Sequence, residues 1–210
     1  MRGTRFVCGV IGLSLLGSGL ALAQDAPESP PMTFFLASVG PGQGADLDGL
    51  GGADAHCQML ATGAGGGDLT WHAYLSTQGP NAVNARDRIG AGPWHNARGA
   101  LVGQNVEEIH GMGHRFTSMT VLDEQGRLIP GSGYAPNRHD ILTGSQLDGT
   151  AYPAGNDMTC GNWTSSSTGI AKVGHHDRAA WNSAHDSRGC SQEELRASGG
   201  DGLFYCFAVR

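Results

Sequence analysis

Four cysteines, Cys57, Cys160, Cys190 and Cys206, constrain this chain most, because they follow a segment that reads as an export signal. Arg2 and Arg5 supply a positive start, Phe6 to Leu22 an apolar stretch, and Ala21-Leu22-Ala23 a small-residue cleavage site. The expectation is a signal peptide over 1–23, cut before Gln24, with Cys8 leaving alongside it. The uncharged run is at the short end for a bilayer crossing, so no membrane span is expected after cleavage. In an exported chain an even number of cysteines favours disulfides over metal-bound thiolates, and the paired C-x-x-C knuckles of a zinc ribbon are missing. Four cysteines allow three pairings, and spacing alone does not choose among them.

The remaining length suits one domain with a substantial core. Removing Arg2 and Arg5 from 13 Lys+Arg leaves 11 against 19 Asp+Glu, a net charge of −8. Lys172 is the sole lysine and no basic cluster occurs. That excludes nucleic acid as the expected partner, since phosphate binding needs a positive footprint. Gly and Pro together make 44 of 210 residues, enough to predict many loops without predicting disorder.

Residues 24–32 read as a flexible, Pro-rich lead-in and 33–210 as the domain. Thr33 to Val39 suits a buried strand. Ala53, Cys57, Leu60 and Ala61 fall on one face of a helix, stopped by the glycines from Gly63 to Gly67. Trp71 to Ser76 alternates as a strand, with Trp71, Ala73 and Leu75 on one side. A short helix is predicted over 82–89 and a helical turn over 106–110, with short strands at 100–102 and 120–122. Residues 130–190 are polar and weakly periodic, and read as one long loop of the kind that carries function. Leu203 to Val209 closes the chain as an apolar strand.

Three segments resemble the C-type-lectin-like superfamily, endostatin-like branch, whose bacterial exported members are often called simply "lectin". They are Gly52-Ala53-Asp54 through Cys57 leading into Trp71-His72-Ala73-Tyr74-Leu75-Ser76, the unit Cys160-Gly161-Asn162-Trp163 after Thr143-Gly144-Ser145 and Asp148-Gly149, and Cys190 followed by the strand holding Cys206. The resemblance implies an α+β fold with a small, mostly antiparallel sheet, two helices and a long disulfide-stapled loop. It also implies nested disulfides, Cys57–Cys206 outside and Cys160–Cys190 inside.

Calcium-dependent members of that superfamily bind sugars through a Glu-Pro-Asn or Gln-Pro-Asp unit and a later Trp-Asn-Asp unit, whose oxygens ligate the metal. Here Gln146-Leu147-Asp148 and Trp181-Asn182-Ser183 are near-matches, with Leu147 in place of the proline and Ser183 in place of an aspartate. The candidate ligand-binding residues are Gln146, Asp148, Asn156, Asp157, Trp181 and Asn182, and the candidate calcium ligands Asp148, Asn182 and Asp186. A second metal possibility, zinc, uses His139 with His175 or His176 and Asp177, with His185, His110 and His114 nearby in sequence. Adjacent His175 and His176 are not expected to share one ion, because successive side chains diverge in extended backbone. No cofactor is assigned by the sequence itself. Trp94 and Trp181 are the aromatics that could stack on a sugar ring, with packing as the alternative.

Neither a G-x-S-x-G elbow nor an H-E-x-x-H motif occurs, so the chain is not expected to be an enzyme. The expectation is a secreted or periplasmic recognition domain that binds a glycan through residues 139–189. The alternative is a domain that binds an extracellular or envelope protein, or serves structurally, without sugar or calcium.

Overall fold

The computed structural model describes Met1, Gly3 and residues 29–209. The expected signal peptide and the first part of the lead-in otherwise lie outside the described residues. Among the described residues, no helix is long and apolar enough to cross a membrane.

Strand β8 (Tyr205–Val209) is the centre of the molecule. It pairs antiparallel with β1 (Phe34–Leu36) on one side and with β2 (Thr70–Ala73) on the other. Because side chains alternate across a strand, β8 feeds two cores. Cys206 and Ala208 join Phe35, Trp71, Leu142 and Trp163 on one face, while Tyr205 and Phe207 join Phe34, Trp94, Phe116 and Trp181 on the other. Burial on both faces is why 203–209 is apolar without alternation.

Helix α1 (Gly49–Gly63) covers the first face through Ala53, Cys57 and Ala61, with Leu60 packed at the margin. The Cys57–Cys206 disulfide bolts it to the central strand, and Cys160–Cys190 closes a separate 30-residue span. Asp54 adds a polar clamp, accepting from the Ala73 amide at 2.8 Å and pairing with Arg88 at 2.6 Å.

Opposite, the second core is closed by a 3-10 turn at Ala85–Asp87, a hairpin of β3 (Trp94–His95) with β4 (Leu101–Gly103), and helix α2 (Val106–His110). The strand expected at 120–122 contributes one isolated bridge, Leu122 to Leu128.

Residues 130–190 are not a structureless loop, which corrects the sequence reading. They contain a second antiparallel sheet, β5 (Asp140–Leu142), β6 (Lys172–His175) and β7 (His185–Asp186), in that order. Gly174 makes it possible: a Cβ there would lie 1.8 Å from the Trp181 carbonyl oxygen, so no side chain fits between β6 and the returning chain.

Four helices, small antiparallel sheets and two disulfides give a mixed α and β fold, with two helices more than expected. One of the additional pair is α4 (Gln192–Ser198), started by a capping box in which Ser191 and Glu194 satisfy each other's backbone. The other, α3 (Cys160–Trp163), is a single turn with positive φ at all four residues, from 48° at Cys160 to 67° at Gly161. L-residues resist that region by roughly 1–2 kcal/mol each. The turn is held by the disulfide, by Trp163 Nε1 donating to the Ser76 carbonyl at 2.8 Å, and by Asp157 accepting from the Gly161 amide at 2.9 Å.

Candidate functional site

The segment after β5 folds into a tight turn in which the Gln146 amide donates to the Thr150 carbonyl at 2.9 Å, with Gly149 at φ 80°. Asn182 pins this turn from beneath. Its Nδ2 donates toward the Gln146 and Leu147 carbonyls, both at 3.1 Å, and to the Tyr74 hydroxyl at 3.0 Å. Of the expected ligand residues, Gln146, Asp148 and Asn182 therefore do come together. Gln146, Leu147, Asp148, Tyr152 and Ser183 line an open depression of about 360 Å³ on the turn's outer side. Leu147, which replaces the proline of the sugar-binding motif, is exposed on it.

The other expected residues are placed differently. Asp157 is engaged with its own neighbours, accepting from the Thr159 amide at 2.8 Å and the Gly161 amide at 2.9 Å. Asn156 sits in an exposed turn. Trp181 is not a surface ring: it is 2% exposed and stacks on Phe116 at 4.2 Å. Trp94 is equally buried, so packing is the role of both tryptophans. Of the candidate calcium ligands, Asp148 accepts from the Thr150 amide and hydroxyl at 3.0 and 2.6 Å, which holds its carboxyl below the usual range. Asp186 pairs with Lys172 across the β6–β7 ladder, and Asn182 presents its amide nitrogen inward.

Behind the turn lies a buried network that sequence reasoning missed. Tyr74 donates to His110 Nε2 at 2.7 Å, and His110 Nδ1 donates to the Val106 carbonyl at 2.7 Å. Both imidazole nitrogens are thus satisfied in the neutral form. Burial lowers the His110 pKa, against the Val106 carbonyl, with Arg86 lowering and Asp148 and Glu107 raising it. Burial likewise lowers His114, His175 and His176.

The consequence for stability has a definite sign. Above about pH 6.5 these imidazoles are neutral in both states. Below it the unfolded chain takes up protons first, so stability falls as pH drops toward the folded values. The urea midpoint is expected to be lower at pH 5.5 than at pH 7.5, and His110→Gln to reduce that drop. A midpoint independent of pH would contradict the assignment of neutral buried imidazoles.

Among the described residues, the one group of three or more His, Cys, Asp or Glu with ligand atoms within 4.8 Å of one another is His139, Asp140 and His175. It sits at the end of the β5–β6–β7 sheet. His139 and His175 were candidates from the sequence, but Asp140 joins them as the carboxylate in place of Asp177, and the alternative His176 lies outside the group. Asp177 stands beside them: its Oδ1 lies 3.5 Å from His139 Nδ1, while its Oδ2 accepts from the Ser132 amide at 2.8 Å. Burial works to raise the Asp177 pKa, but the Ser132 amide, His176 and His139 outweigh it and hold it low. The missing signal was strand register, which places Asp140 opposite His175 and has no trace in local periodicity.

No protein-family model matches the chain, and no curated protein matches it.

Proposed function

We propose that this chain is an exported, non-catalytic recognition domain of C-type-lectin-like, endostatin-like architecture that binds glycans on the outer side of the 146–152 turn. The observation that carries the reading is the depression lined by Gln146, Leu147, Asp148, Tyr152 and Ser183. An apolar side chain and a part-exposed tyrosine ring stand beside an amide, a carboxylate and a hydroxyl. That is the combination a sugar needs, with its C–H face on a ring and its hydroxyls on polar groups. The turn is pre-shaped by Asn182, which lowers the ordering cost of binding. The nested disulfides support the family reading.

A glycan array probed with the oxidised full chain, with calcium and again with EDTA, tests this. Binding should fall about tenfold in Tyr152→Ala, the loss of one ring contact, while the fold is kept. Binding abolished by EDTA would assign the sugar contact to calcium; binding that survives would assign it to the side chains alone.

One observation favours a protein ligand instead. Met119, Leu128 and Tyr134 are exposed together around a cavity of about 370 Å³ that also takes in Ile129 and Pro130. An array blank in both conditions would sink the glycan reading and leave this apolar patch as the recognition surface.

A further inference from the structure

The short sheet inside 130–190 gathers four side chains that the groove does not use. In antiparallel pairs, residues directly opposite share a face, as do residues two apart on one strand. The register sets Asp140 opposite His175 and Val173 opposite His185. Val173 and His175 are two apart, so Asp140, His175 and His185 project from the same face. His139 closes the group from the start of β5, its ring stacked on His175 with centroids 4.4 Å apart.

Asp140 Oδ1 is the focus. The Nε2 atoms of His139, His175 and His185 lie 3.0, 3.3 and 3.3 Å from it. The Asp140 side chain is 1% exposed, and neither of its oxygens has a hydrogen-bond partner. His175 Nε2, His139 Nδ1 and Asp177 Oδ1 are also buried without one.

The proton inventory sharpens this. His185 Nδ1 lies 2.9 Å from the Asp186 carbonyl oxygen, which can only accept, so the proton sits on Nδ1. His139 Nδ1 faces the Asp177 carboxylate, which likewise favours a proton there. Those tautomers turn Nε2 lone pairs toward the buried Asp140 carboxyl oxygen. Such buried groups left without a partner are costly. Protonating every imidazole would crowd three positive charges around one carboxylate, with ring centroids 4.4 and 5.0 Å apart. A single bound cation satisfies His139, Asp140 and His175 together, whose ligand atoms lie within 4.8 Å of one another.

The geometry and the donor types indicate which cation. A tetrahedral ion with bonds near 2.0–2.1 Å keeps its ligand atoms roughly 3.3 Å apart. The His139 and His175 spacings to Asp140 Oδ1, 3.0 and 3.3 Å, lie at or just below that figure. Two imidazole nitrogens with one carboxylate oxygen, and a fourth position open to water, suit zinc and its neighbours, whereas calcium and magnesium take oxygen ligands. We infer that His139, Asp140 and His175 form a binding site for one divalent transition-metal ion of the zinc class, with Asp177 orienting His139 from behind. The His185 side chain, 42% exposed, stands at the rim and marks the ion's way in. Asp177 is the outer partner that holds a ligating imidazole in its tautomer. The site is independent of the glycan reading, since no groove residue supplies a donor.

The test uses the oxidised full chain, stripped with a chelator and titrated with Zn²⁺ against a chromogenic competitor, with bound metal counted by mass spectrometry. One zinc per chain is expected. His175→Ala, which removes a ligand nitrogen, should weaken binding at least about 100-fold, and Asp177→Asn about 10- to 100-fold, as outer-shell changes do. Tyr152→Ala should leave zinc affinity unchanged. Substituted Co²⁺ should give the intense visible bands of a four-coordinate ion. No zinc retained by the folded chain would overturn the inference. So would zinc retained at unchanged affinity by both His175→Ala and Asp140→Asn, or the weak bands of six-coordinate cobalt.

Discussion

Replacing Cys57 and Cys206 together with alanine should cost more stability than replacing Cys160 and Cys190. The bond spans 149 residues, against 30 for Cys160–Cys190. In the chain-entropy model these separations correspond to about 5 and about 3.6 kcal/mol, because a longer closed loop removes more freedom from the unfolded ensemble. All four cysteines are fully buried, so what separates the pairs beyond loop length is where each bond sits. Cys57 and Cys206 are fully buried where α1 meets the central strand, so their loss loosens the contact on which the first core depends. Single domains are stable by only about 5–15 kcal/mol, so the outer pair is comparable to the whole margin. Urea unfolding of Cys57→Ala/Cys206→Ala and Cys160→Ala/Cys190→Ala, beside the parent, reads both effects. The outer variant should be marginal or unfolded at 37 °C and the inner one folded with a reduced midpoint. Equal midpoints, or the reverse order, would mean that unfolded-state closure is not what these bonds contribute.

The same bonds mark where sequence reasoning reached and where it stopped. The pairing came from family resemblance, and the structure has it. The strands at 34–36 and 205–209 were legible because burial on both faces makes them continuous apolar runs. Helix α1 was legible because Ala53, Cys57 and Ala61 keep helical spacing over nine of its fifteen residues. Strands β5, β6 and β7 have three, four and two residues, too short for alternation to rise above a polar background. The β5–β6 pairing joins residues 31 to 35 apart in sequence, and the His–Asp cluster exists only once that pairing is known. Helix α4 is a different case. Ser191 and Glu194 were a readable capping box before an amphipathic stretch, and the signal was passed over. Trp181 shows the opposite limit: its tripeptide resembled a sugar-binding motif, and burial gave the ring another task.

That task sets the second large effect, Trp181→Ala. The indole stacks on Phe116 at 4.2 Å, meets Tyr74 at 4.8 Å and Tyr205 at 5.4 Å, and donates from Nε1 to the Ile109 carbonyl at 2.8 Å. Truncating a buried tryptophan to alanine costs about 3–5 kcal/mol, with little chance here for surrounding rings to collapse into the space. The backbone at this residue matters as well. The Trp181 carbonyl accepts from the Tyr205 hydroxyl at 3.0 Å and lies directly over Gly174. The next residue, Asn182, shapes the 146–149 turn, and His185 follows three residues later. A stability loss of about 4 kcal/mol by urea unfolding is expected. Trp181→Phe, which keeps a stacked ring but removes the indole donor, should lose only about 1–2 kcal/mol. The pair of variants separates packing from ligand contact. If Trp181 were a ring that sugars stack on, alanine would abolish glycan binding with the unfolding midpoint nearly unchanged. If it packs the core, the midpoint falls first, and whatever the folded fraction of Trp181→Phe binds should match the parent.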